Sequence, residues 1–409
     1  MSELLHPSAP LPDTTRLPRL QAALLGRLGA LLPRGTLLVV TPQGGRWQHR
    51  GAAPGPAAVL VLHRWRALSR LYLGGDVAFA EAYGEGDWSS PDLASLIELA
   101  AVNGATLDRA VRGGLAARLW HRLRHRLRDN SRAGSRRNII AHYDLGNDFF
   151  AAWLDPGMSY SSGLHATADT QLEAAQLAKQ ERVRALLEPE AAGTILEIGI
   201  GWGGLAEHLL RGSKARLTGI TLSPSQLAHA QARLAAAGLA GRAELRLQDY
   251  RDTAGRFDRI VSIEMFEAVG EAYWPAYFRM LHDRLAPGGI AVLQVITIAE
   301  ARYAAYRRGA DFIQRHIFPG GMLPTVGLLH SQMAAAGLTL EHEERFGDSY
   351  ARTLAEWQRR FVAAAPAIDR LGLDARFQRL WRYYLAYCEG GFRAGAIDVG
   401  LYRIRREAG

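Results

Sequence analysis

The sequence has a single cysteine, Cys388, among its 409 residues. One cysteine excludes a disulfide within the chain and a cysteine-rich metal site. The histidines are scattered without the spacing of metal ligands, so we expect no metal. No apolar run approaches the roughly 18 residues that a transmembrane helix needs, and the first residues lack the basic and then apolar order of a secretion signal. These absences predict a cytoplasmic protein.

Excess positive charge is absent from most of the chain. The net charge of +9 arises within residues 109–137, which contain ten arginines and one acidic residue, whereas the other acidic and basic residues balance. Leucines recur here at a spacing of four with Trp120 beside them, which predicts a helix with an apolar stripe and cationic surroundings. These leucines are Leu115, Leu119, Leu123 and Leu127.

Two classes of partner fit this segment, which we place at residues 108–137. Anionic lipid headgroups and nucleic-acid phosphates would both attract it. A solvated linker helix whose leucines pack on a neighbouring domain is the simplest alternative. Because leucine and tryptophan favour lipid over a phosphate backbone, we predict an amphipathic linker that binds the inner face of an anionic membrane peripherally, and no nucleic-acid partner.

Hydrophobic patterns divide the rest of the chain into two domains. Short strands and then helices in residues 36–105 predict a small α+β domain at 1–107, which has no catalytic cluster and which we assign to docking or to a homodimer. Alternating strands and helices from 138 to 409 predict an α/β fold with a doubly wound parallel sheet. Residues 300–390 are helical and aromatic in pattern and are expected to form a lid. The sheet strands are expected at 194–198, 216–220, 243–247, 258–263 and 290–297.

A glycine loop follows the first of these strands. The strand ends at Glu197, and Gly199 and Gly201 precede a helical pattern. Glycines let the backbone approach a ligand closely, and a helix N-terminus attracts phosphate. A pyrophosphate would face the Glu197 carboxylate, however, and no acidic residue stands about 20 residues past the first glycine to bind a ribose. S-adenosylmethionine, which carries an ammonium and a sulfonium, therefore fits better than NAD; a purely structural turn is the alternative.

Polar side chains follow the next strands. Thr221, Leu222 and Gln226 come after the second strand, where a hydroxyl and an amide can bind a ribose; a helix cap with a surface glutamine is the alternative. Gln248 and Asp249 follow the third strand and suit adenine. These positions extend the predicted cofactor site because the strands of such a sheet bind ligands at their carboxyl ends.

The segment SIEMFEAVG, after the fourth strand, contains two glutamates, and one of them could face a transferred methyl group. Glu264 fits an exposed helix. Glu267 lies between Phe266 and a tight Val269–Gly270 turn, a context that indicates enclosure and a raised proton affinity. We therefore select Glu267 as the catalytic candidate.

The chain resembles the cyclopropane-fatty-acyl-phospholipid synthases, including the mycolic acid cyclopropane synthases, in order over about residues 138–405. FAEAYGEGDW, at residues 79–88, resembles their amino-terminal domain more weakly. The segments that carry the resemblance are HYDLGNDFF (142–150), LDPGMSYSSG (154–163), LEIGIGWGG (196–204), SIEMFEAVG (262–270), FIQRHIFPGGMLP (312–324), FGDSYARTLAEW (346–357) and YCEGGFRAG (387–395).

The resemblance implies a Rossmann-like class I methyltransferase that moves a methyl group from S-adenosylmethionine to a cis double bond of a membrane lipid. The alkene is the nucleophile, so the protein must align it, exclude water and stabilise a carbocation rather than activate an acceptor with a base. No asparagine-proline-aromatic motif of amino-group methylation follows the fourth strand. RNA or a soluble metabolite as methyl acceptor, and a non-catalytic cofactor-binding scaffold, are the weaker alternatives.

Site residues also follow from the resemblance. Tyr160 and Ser161 would hold the amino-acid end of the cofactor. In the family, a bicarbonate takes a proton from the added methyl so that a cyclopropane ring closes, and a glutamate, a histidine, a tyrosine and backbone groups hold it. Glu267 and Tyr350 match this set.

The family's histidine is replaced by Gln294, and a cysteine usual in the family is replaced by Ser162. Glutamine can donate a hydrogen bond to an oxyanion but carries no positive charge, so the binding of an anion should weaken. We therefore expect a cyclopropane product first and a methylene-branched or methyl-branched acyl chain as the alternative, with bicarbonate as a possible second cofactor.

Overall fold

The computed structural model describes residues 18–110 and 145–408, without the side chains of residues 108–110. The predicted arginine-rich linker lies almost entirely outside the described residues. No helix in the described part of the chain is long and apolar enough to cross a membrane. Within the same ranges no group of three or more histidine, cysteine or acidic side chains is placed to hold a metal ion.

The secondary structure comprises fifteen described α-helices and eleven strands. The helices are α1 (Arg19–Ala30), α2 (Arg66–Gly84), α3 (Leu93–Val102), α4 (Gly104–Ala110), α5 (Asn147–Ala151), α6 (Leu172–Leu187), α7 (Gly204–Arg211), α8 (Pro224–Ala236), α9 (Trp274–Arg284), α10 (Glu300–Tyr306), α11 (Phe312–His316), α12 (Val326–Ala335), α13 (Gly347–Ala363), α14 (Ala365–Arg370) and α15 (Ala375–Arg393). The strands are β1 (Arg34–Val40), β2 (Arg46–Arg50), β3 (Ala53–Leu62), β4 (Trp88–Ser89), β5 (Thr194–Ile198), β6 (Arg216–Thr221), β7 (Ala243–Leu247), β8 (Phe257–Ile263), β9 (Leu285–Ile298), β10 (Leu338–Arg345) and β11 (Ile397–Arg406).

The described residues form two compact units. The first unit contains a four-stranded sheet in the order β2-β1-β3-β4, in which β1 and β3 are parallel. Helix α3 packs on β3 and begins at Asp92, whose side chain accepts a hydrogen bond from the Ser95 backbone N–H. The units consist of the described residues within Met1–Arg124, Ala305–Phe312 and Ala365–Ala396, and within His125–Ala304, Ile313–Ala364 and Ile397–Gly409.

Helix α15 belongs to the first unit, although the sequence pattern had included it in the lid 300–390 of the catalytic domain. Its Tyr383 ring lies 6.2 Å from the Trp88 ring. At Gly390 the helix approaches α3 so closely that a side-chain carbon would lie 2.8 Å from the Ala94 carbonyl oxygen. The predicted domain boundary is corrected here because α15 buries its aromatic face on helices almost 300 residues earlier in the chain.

The second unit contains a seven-stranded sheet in the order β10-β11-β9-β8-β5-β6-β7. Strands β5 to β9 are parallel, and β11 is antiparallel to both β9 and β10. All five predicted strands are present, and β5 and β7 have the predicted bounds. Leu196 and Ile260 on neighbouring central strands are fully buried, as expected where helices cover both faces of a parallel sheet. The predicted α/β fold is confirmed.

Strand β10 lies inside the region predicted to be helical. Leu338 is buried and Leu340 is half-buried, whereas Thr339 and Glu341 between and after them are exposed. This period of two marks a strand, but histidine, arginine and three glutamates fill most of its positions. Those residues are common on helix surfaces, so composition concealed the strand pattern at an edge of the sheet.

Gly390→Ala should destabilise the protein by about 1–3 kcal/mol, because the added methyl would press against backbone atoms of α3. Gly26→Ala is the matched control. A side-chain carbon at Gly26, within α1, meets no atom within 4 Å, so alanine should stabilise that helix by about 0.5–1 kcal/mol. Urea unfolding of the two variants beside the wild type measures both effects. Equal stability of the wild type and the Gly390 variant would contradict the close packing of α15 on α3.

Candidate active site

The glycine loop joins β5 to α7. Gly199, Gly201 and Gly203 all have left-handed backbone angles, with φ of 85°, 54° and 83°. A side-chain carbon at Gly201 would have no neighbouring atom within 4 Å. The loop therefore leaves room beside Gly201 for a ligand to approach the backbone. Only glycine adopts these backbone angles without strain.

Glu197 lies at the end of β5, immediately before this loop, and is 3% exposed. Its Oε2 atom is buried and receives no hydrogen bond from the residues that the structure describes. Burial raises the pKa of the Glu197 carboxyl to about 8, although the Lys179 ammonium acts in the opposite direction. A buried carboxylate oxygen without a donor is unfavourable, and a cationic group placed beside it would offset that cost. The environment thus fits an ammonium or sulfonium group.

Thr221 and Gln226, which follow β6, are both buried and contact each other. The Thr221 hydroxyl donates to Gln226 Oε1 over 2.9 Å. The cap of α8 is a different residue, Ser223, whose hydroxyl accepts from the Gln226 backbone N–H. Leu222 between them is half-buried. The alternative of a surface glutamine is wrong, since Gln226 is 4% exposed.

Gln248 and Asp249 follow β7. The Gln248 backbone N–H donates to the Thr221 carbonyl over 3.0 Å, which brings the ends of β6 and β7 together. Asp249 accepts a hydrogen bond from Arg251 Nη2 over 2.7 Å and another from the Arg251 backbone N–H. The Asp249 carboxylate would therefore share its oxygens between Arg251 and any adenine amino group.

Tyr160 and Ser161 precede α6. The Tyr160 ring packs against the Phe150, Trp153 and Trp357 rings, with centroids 5.3, 5.6 and 5.4 Å away. The Ser161 hydroxyl accepts a hydrogen bond of 2.8 Å from the Lys179 ammonium. Aromatic packing and a charged hydrogen bond therefore fix this segment in place.

Lys179 was not identified from the sequence. Burial lowers the pKa of its ammonium, while Glu264, Asp155 and Glu197 act in the opposite direction. The sequence signal for it is its spacing of four residues from Ala175 and from Val183, which are both fully buried. A lysine on that face of a helix has to be buried.

Glu264 is the centre of a hydrogen-bonded cluster that joins three of the predicted catalytic residues. Its Oε1 accepts from the Ser162 backbone N–H over 2.9 Å and from Gln294 Nε2 over 2.7 Å. Its Oε2 accepts from the Tyr350 hydroxyl over 2.6 Å. Desolvation raises the pKa of the Glu264 carboxyl despite these donors and the Lys179 charge.

The interpretation of Glu264 as an exposed helical residue is wrong. The residue follows β8 with a left-handed φ of 49°, and its backbone N–H donates to the Gln294 carbonyl over 2.8 Å. This turn directs the side chain toward Ser162 and Tyr350 instead of solvent. The Ser162 hydroxyl itself donates to the Gly163 carbonyl, so only the backbone of Ser162 contacts Glu264.

Glu267 lies beside this cluster without sharing its donors. Its Oε1 accepts from the Ile296 backbone N–H over 2.5 Å, whereas its buried Oε2 has no hydrogen-bond partner among the described residues. Burial and, to a smaller extent, the nearby Glu264 charge together raise the pKa of the Glu267 carboxyl to about 8. The predicted catalytic set is thus divided: Tyr350, Gln294 and Ser162 contact Glu264, and Glu267 is its electrostatic neighbour.

The glycine loop and the carboxyl cluster adjoin each other. A side-chain carbon at Gly199 would lie 3.3 Å from Met265, between the two glutamates of the cluster. The Lys179 ammonium also interacts with both Glu197 and Glu264. A ligand bound at the loop through cationic groups would therefore be next to the cluster, which can accept or hold a proton.

Comparison with known proteins identifies the family. A family model described as mycolic acid cyclopropane synthetase matches residues 130–401. The tuberculostearic acid methyltransferase UfaA1 of Mycobacterium tuberculosis is 39% identical over 372 residues, which is 87% of this chain and 85% of that protein. The cyclopropane-fatty-acyl-phospholipid synthase of Escherichia coli is 38% identical over 263 residues, covering 64% of this chain and 65%, just under two thirds, of that enzyme.

Solved structures agree with this assignment. The crystal structure of mycolic acid cyclopropane synthase CmaA1 complexed with SAH and CTAB has a TM-score of 0.62 and 30% identity, covering 66% of this chain and 98% of that one. Coclaurine N-methyltransferase bound to SAH shares the fold at 16% identity, with a TM-score of 0.61 over 81% of this chain and 99% of its own. The chain therefore belongs to the mycolic acid cyclopropane synthetase family and is an S-adenosylmethionine-dependent methyltransferase with a Rossmann-like fold.

Proposed function

We propose that this enzyme methylates a cis double bond in an unsaturated acyl chain of a phospholipid and that the product is a cyclopropane ring. The observation that carries the proposal is the carboxyl cluster of Glu264 and Glu267 next to the glycine loop. A double bond needs no base for activation, but the cation formed on methylation must lose a proton. Carboxyl groups of raised pKa at that place supply the proton acceptor.

In the proposed site, the loop and strand ends bind the cofactor. Bound S-adenosylmethionine supplies an electrophilic methyl group on a positively charged sulfur. Glu197 offsets the cofactor's positive charge, and Tyr160 and Ser161 flank its amino-acid end. The remaining binding groups are the backbone of Gly199 and Gly201 and the side chains of Thr221, Leu222, Gln226, Gln248 and Asp249.

The acyl chain then forms one carbon–carbon bond to the methyl group and carries a cation on the neighbouring carbon. Ring closure requires that a methyl C–H bond break, that its electrons form the third ring bond and that the proton pass to a base. Glu267, Tyr350, Gln294 and Ser162 form the site where this proton leaves. Enclosure of the Glu267 Oε2 atom by the protein limits capture of the cation by water.

A methylene-branched or methyl-branched acyl chain is the second candidate product. Two observations favour it: Gln294 stands where the family has a histidine, and one relative, similar over 87% of this chain, is named a tuberculostearic acid methyltransferase. A hydride shift within the chain and then loss of a proton from the added methyl group give a methylene branch from the same cation. Loss of a chain proton gives a methyl branch beside a double bond, and a saturated methyl branch would need a hydride donor in addition. A ring and a methylene branch both lose a proton of the added methyl group, and they differ in whether a hydride shift first moves the cation to the carbon that carries that group.

Purified enzyme with S-adenosylmethionine and vesicles of monounsaturated phospholipid should give acyl chains heavier by one CH₂ unit, and saturated phospholipid should give none. Proton NMR separates a ring, with its upfield methylene protons, from a vinylidene branch. With a trideuterated methyl donor, a ring and a methylene branch each retain two deuterons, whereas an unsaturated methyl branch formed by loss of a chain proton retains three. Failure of the wild type to add CH₂ to any unsaturated lipid would refute the proposed function.

Cofactor binding should be coupled to the ionisation of Glu197. Because its pKa is about 8 in the free site and a cationic ligand lowers it, binding near pH 7 should release roughly one proton, and affinity should rise with pH up to about 8 and then level off. Glu197→Gln should bind more weakly and lose this pH dependence, while Glu244→Gln on the exposed end of β7 should retain it. Calorimetry in buffers of different ionisation enthalpy measures the released proton, and a pH-independent wild-type affinity would contradict the assignment.

We further propose that the arginine-rich segment attaches the enzyme to the inner face of an anionic membrane and that the first unit mediates a homodimer. Replacing Arg118, Arg122, Arg124, Arg126 and Arg128 by glutamine should weaken binding to vesicles that contain anionic lipid. The wild-type binding should also weaken with added salt, because each arginine contributes about 1 kcal/mol near such a surface. Sedimentation with vesicles of anionic and neutral lipid measures both effects. Unchanged binding of the variant would leave the segment without a membrane role.

A further inference from the structure

We propose that the Glu264 carboxylate is the enzyme's own proton acceptor and takes the place of a bound bicarbonate. This inference rests on the proposed function and deepens it. It identifies the base that removes the proton after methyl transfer, and it makes the reaction independent of any added anion. Three features of the cluster support it: the donors, the charges and the backbone angle at Glu264.

The donors around Glu264 are those that the resemblance assigns to an external anion. The Tyr350 hydroxyl donates to Oε2, and Gln294, at the histidine position, donates to Oε1. The backbone of Ser162, at the cysteine position, supplies the third donor. Tyr350 has one hydroxyl proton and Ser162 one amide proton, so both are consumed by Glu264. A bicarbonate at the same place would lack donors and would overlap the carboxylate.

The charges in the cluster also disfavour an added anion. Glu264 and Glu267 are electrostatic neighbours, and each raises the cost of negative charge nearby. Gln294 contributes no positive charge where the family has a histidine. Lys179 is the buried cation near Glu264, and it also interacts with Glu197 and Asp155. A second anion would therefore enter a region in which carboxyl groups already outnumber cations.

The backbone angle at Glu264 indicates that the glutamate side chain itself is needed at this position, because the turn alone would form more easily with glycine. Its φ of 49° is a conformation that glycine adopts freely and that a glutamate adopts at a cost. Three hydrogen bonds to the carboxylate hold the residue there. A residue kept in an unfavourable conformation by its side-chain contacts is typical of a functional site.

The proton step balances with Glu264 as the base. A C–H bond of the methylated acyl cation breaks, and its electron pair forms the ring bond or the double bond of a branch. The proton goes to a free lone pair of Oε2, the oxygen that Tyr350 also contacts. The resulting neutral acid returns the proton to water when the product leaves. The Tyr350 and Gln294 donors keep the carboxylate oriented throughout.

Glu264→Gly tests this proposal because glycine adopts the left-handed backbone angle without strain and leaves the space of the carboxylate empty. In buffer freed of carbon dioxide, the wild type should methylate lipid at full rate and gain nothing from added bicarbonate. The glycine variant should lose about 100-fold or more of the rate and should recover part of it with bicarbonate or formate. Glu264→Gln, which fills the same space with a neutral amide, should lose the rate without rescue.

A matched control and a binding measurement complete the test. Glu188→Gly makes the same change at another left-handed glutamate, which is exposed and paired with Arg403, and it should keep the wild-type rate. NMR with ¹³C-bicarbonate should detect binding to the Glu264→Gly variant and none to the wild type. Cofactor binding and a cooperative thermal unfolding transition should both persist, which shows that the variant is folded.

Distinct results would overturn the two proposals. A wild type that adds CH₂ to lipid only when bicarbonate is present would refute the role of Glu264 but not the proposed function. The same holds for a glycine variant that keeps the wild-type rate without bicarbonate, or that neither binds bicarbonate nor is rescued by it. A wild type that binds the cofactor and methylates no lipid at any bicarbonate concentration would instead remove the proposed function itself.

Discussion

The active site depends on an imbalance of buried charge. Glu197, Glu264 and Glu267 lie around a region in which Lys179 is the buried cation that offsets them. Taking carboxylates out of water is costly unless cations and donors surround them, and the raised pKa values of these groups record that cost. A site with this deficit of positive charge favours cationic ligands and transition states. S-adenosylmethionine brings a sulfonium and an ammonium, and methylation of an alkene places a further cation on the acyl chain.

The same imbalance explains why the loop does not serve a dinucleotide. The backbone turn through Gly199 and Gly201 and the start of α7 are the elements that bind pyrophosphate in other parallel sheets. Here the buried Glu197 carboxylate precedes them, and an anionic pyrophosphate would meet it without compensation. Loop geometry alone therefore permits several ligands, and the acid at the strand end selects among them. The selection is electrostatic because the backbone shape is common to both classes of site.

Much of the second unit could be predicted because parallel strands buried on both faces have continuous apolar runs, as residues 290–293 of β9 do. Strand β10 could not, because it lies at the sheet edge and carries charged residues. Helix α15 was assigned to the wrong unit because its partners are distant in sequence. The position of Glu264 was missed for a further reason: its left-handed backbone angle and its three donors depend on contacts between segments 30 to 102 residues apart. No local pattern encodes such a contact.

The presence of Gln294 and the presence of Glu264 have a common physical explanation. A protonated histidine beside Glu264 would stabilise its carboxylate and lower the proton affinity on which a base depends. The Gln294 amide supplies the hydrogen bond that orients Oε1 but adds no charge, so desolvation remains the dominant influence and the pKa of Glu264 stays raised. A neutral donor thus suits a carboxylate of the protein itself, because it leaves the proton affinity of that carboxylate high. A cationic donor suits an anion that has to be bound from solution, because its charge strengthens binding. The two residues are consistent with each other, because the neutral amide orients the carboxylate without adding a charge that would lower its proton affinity.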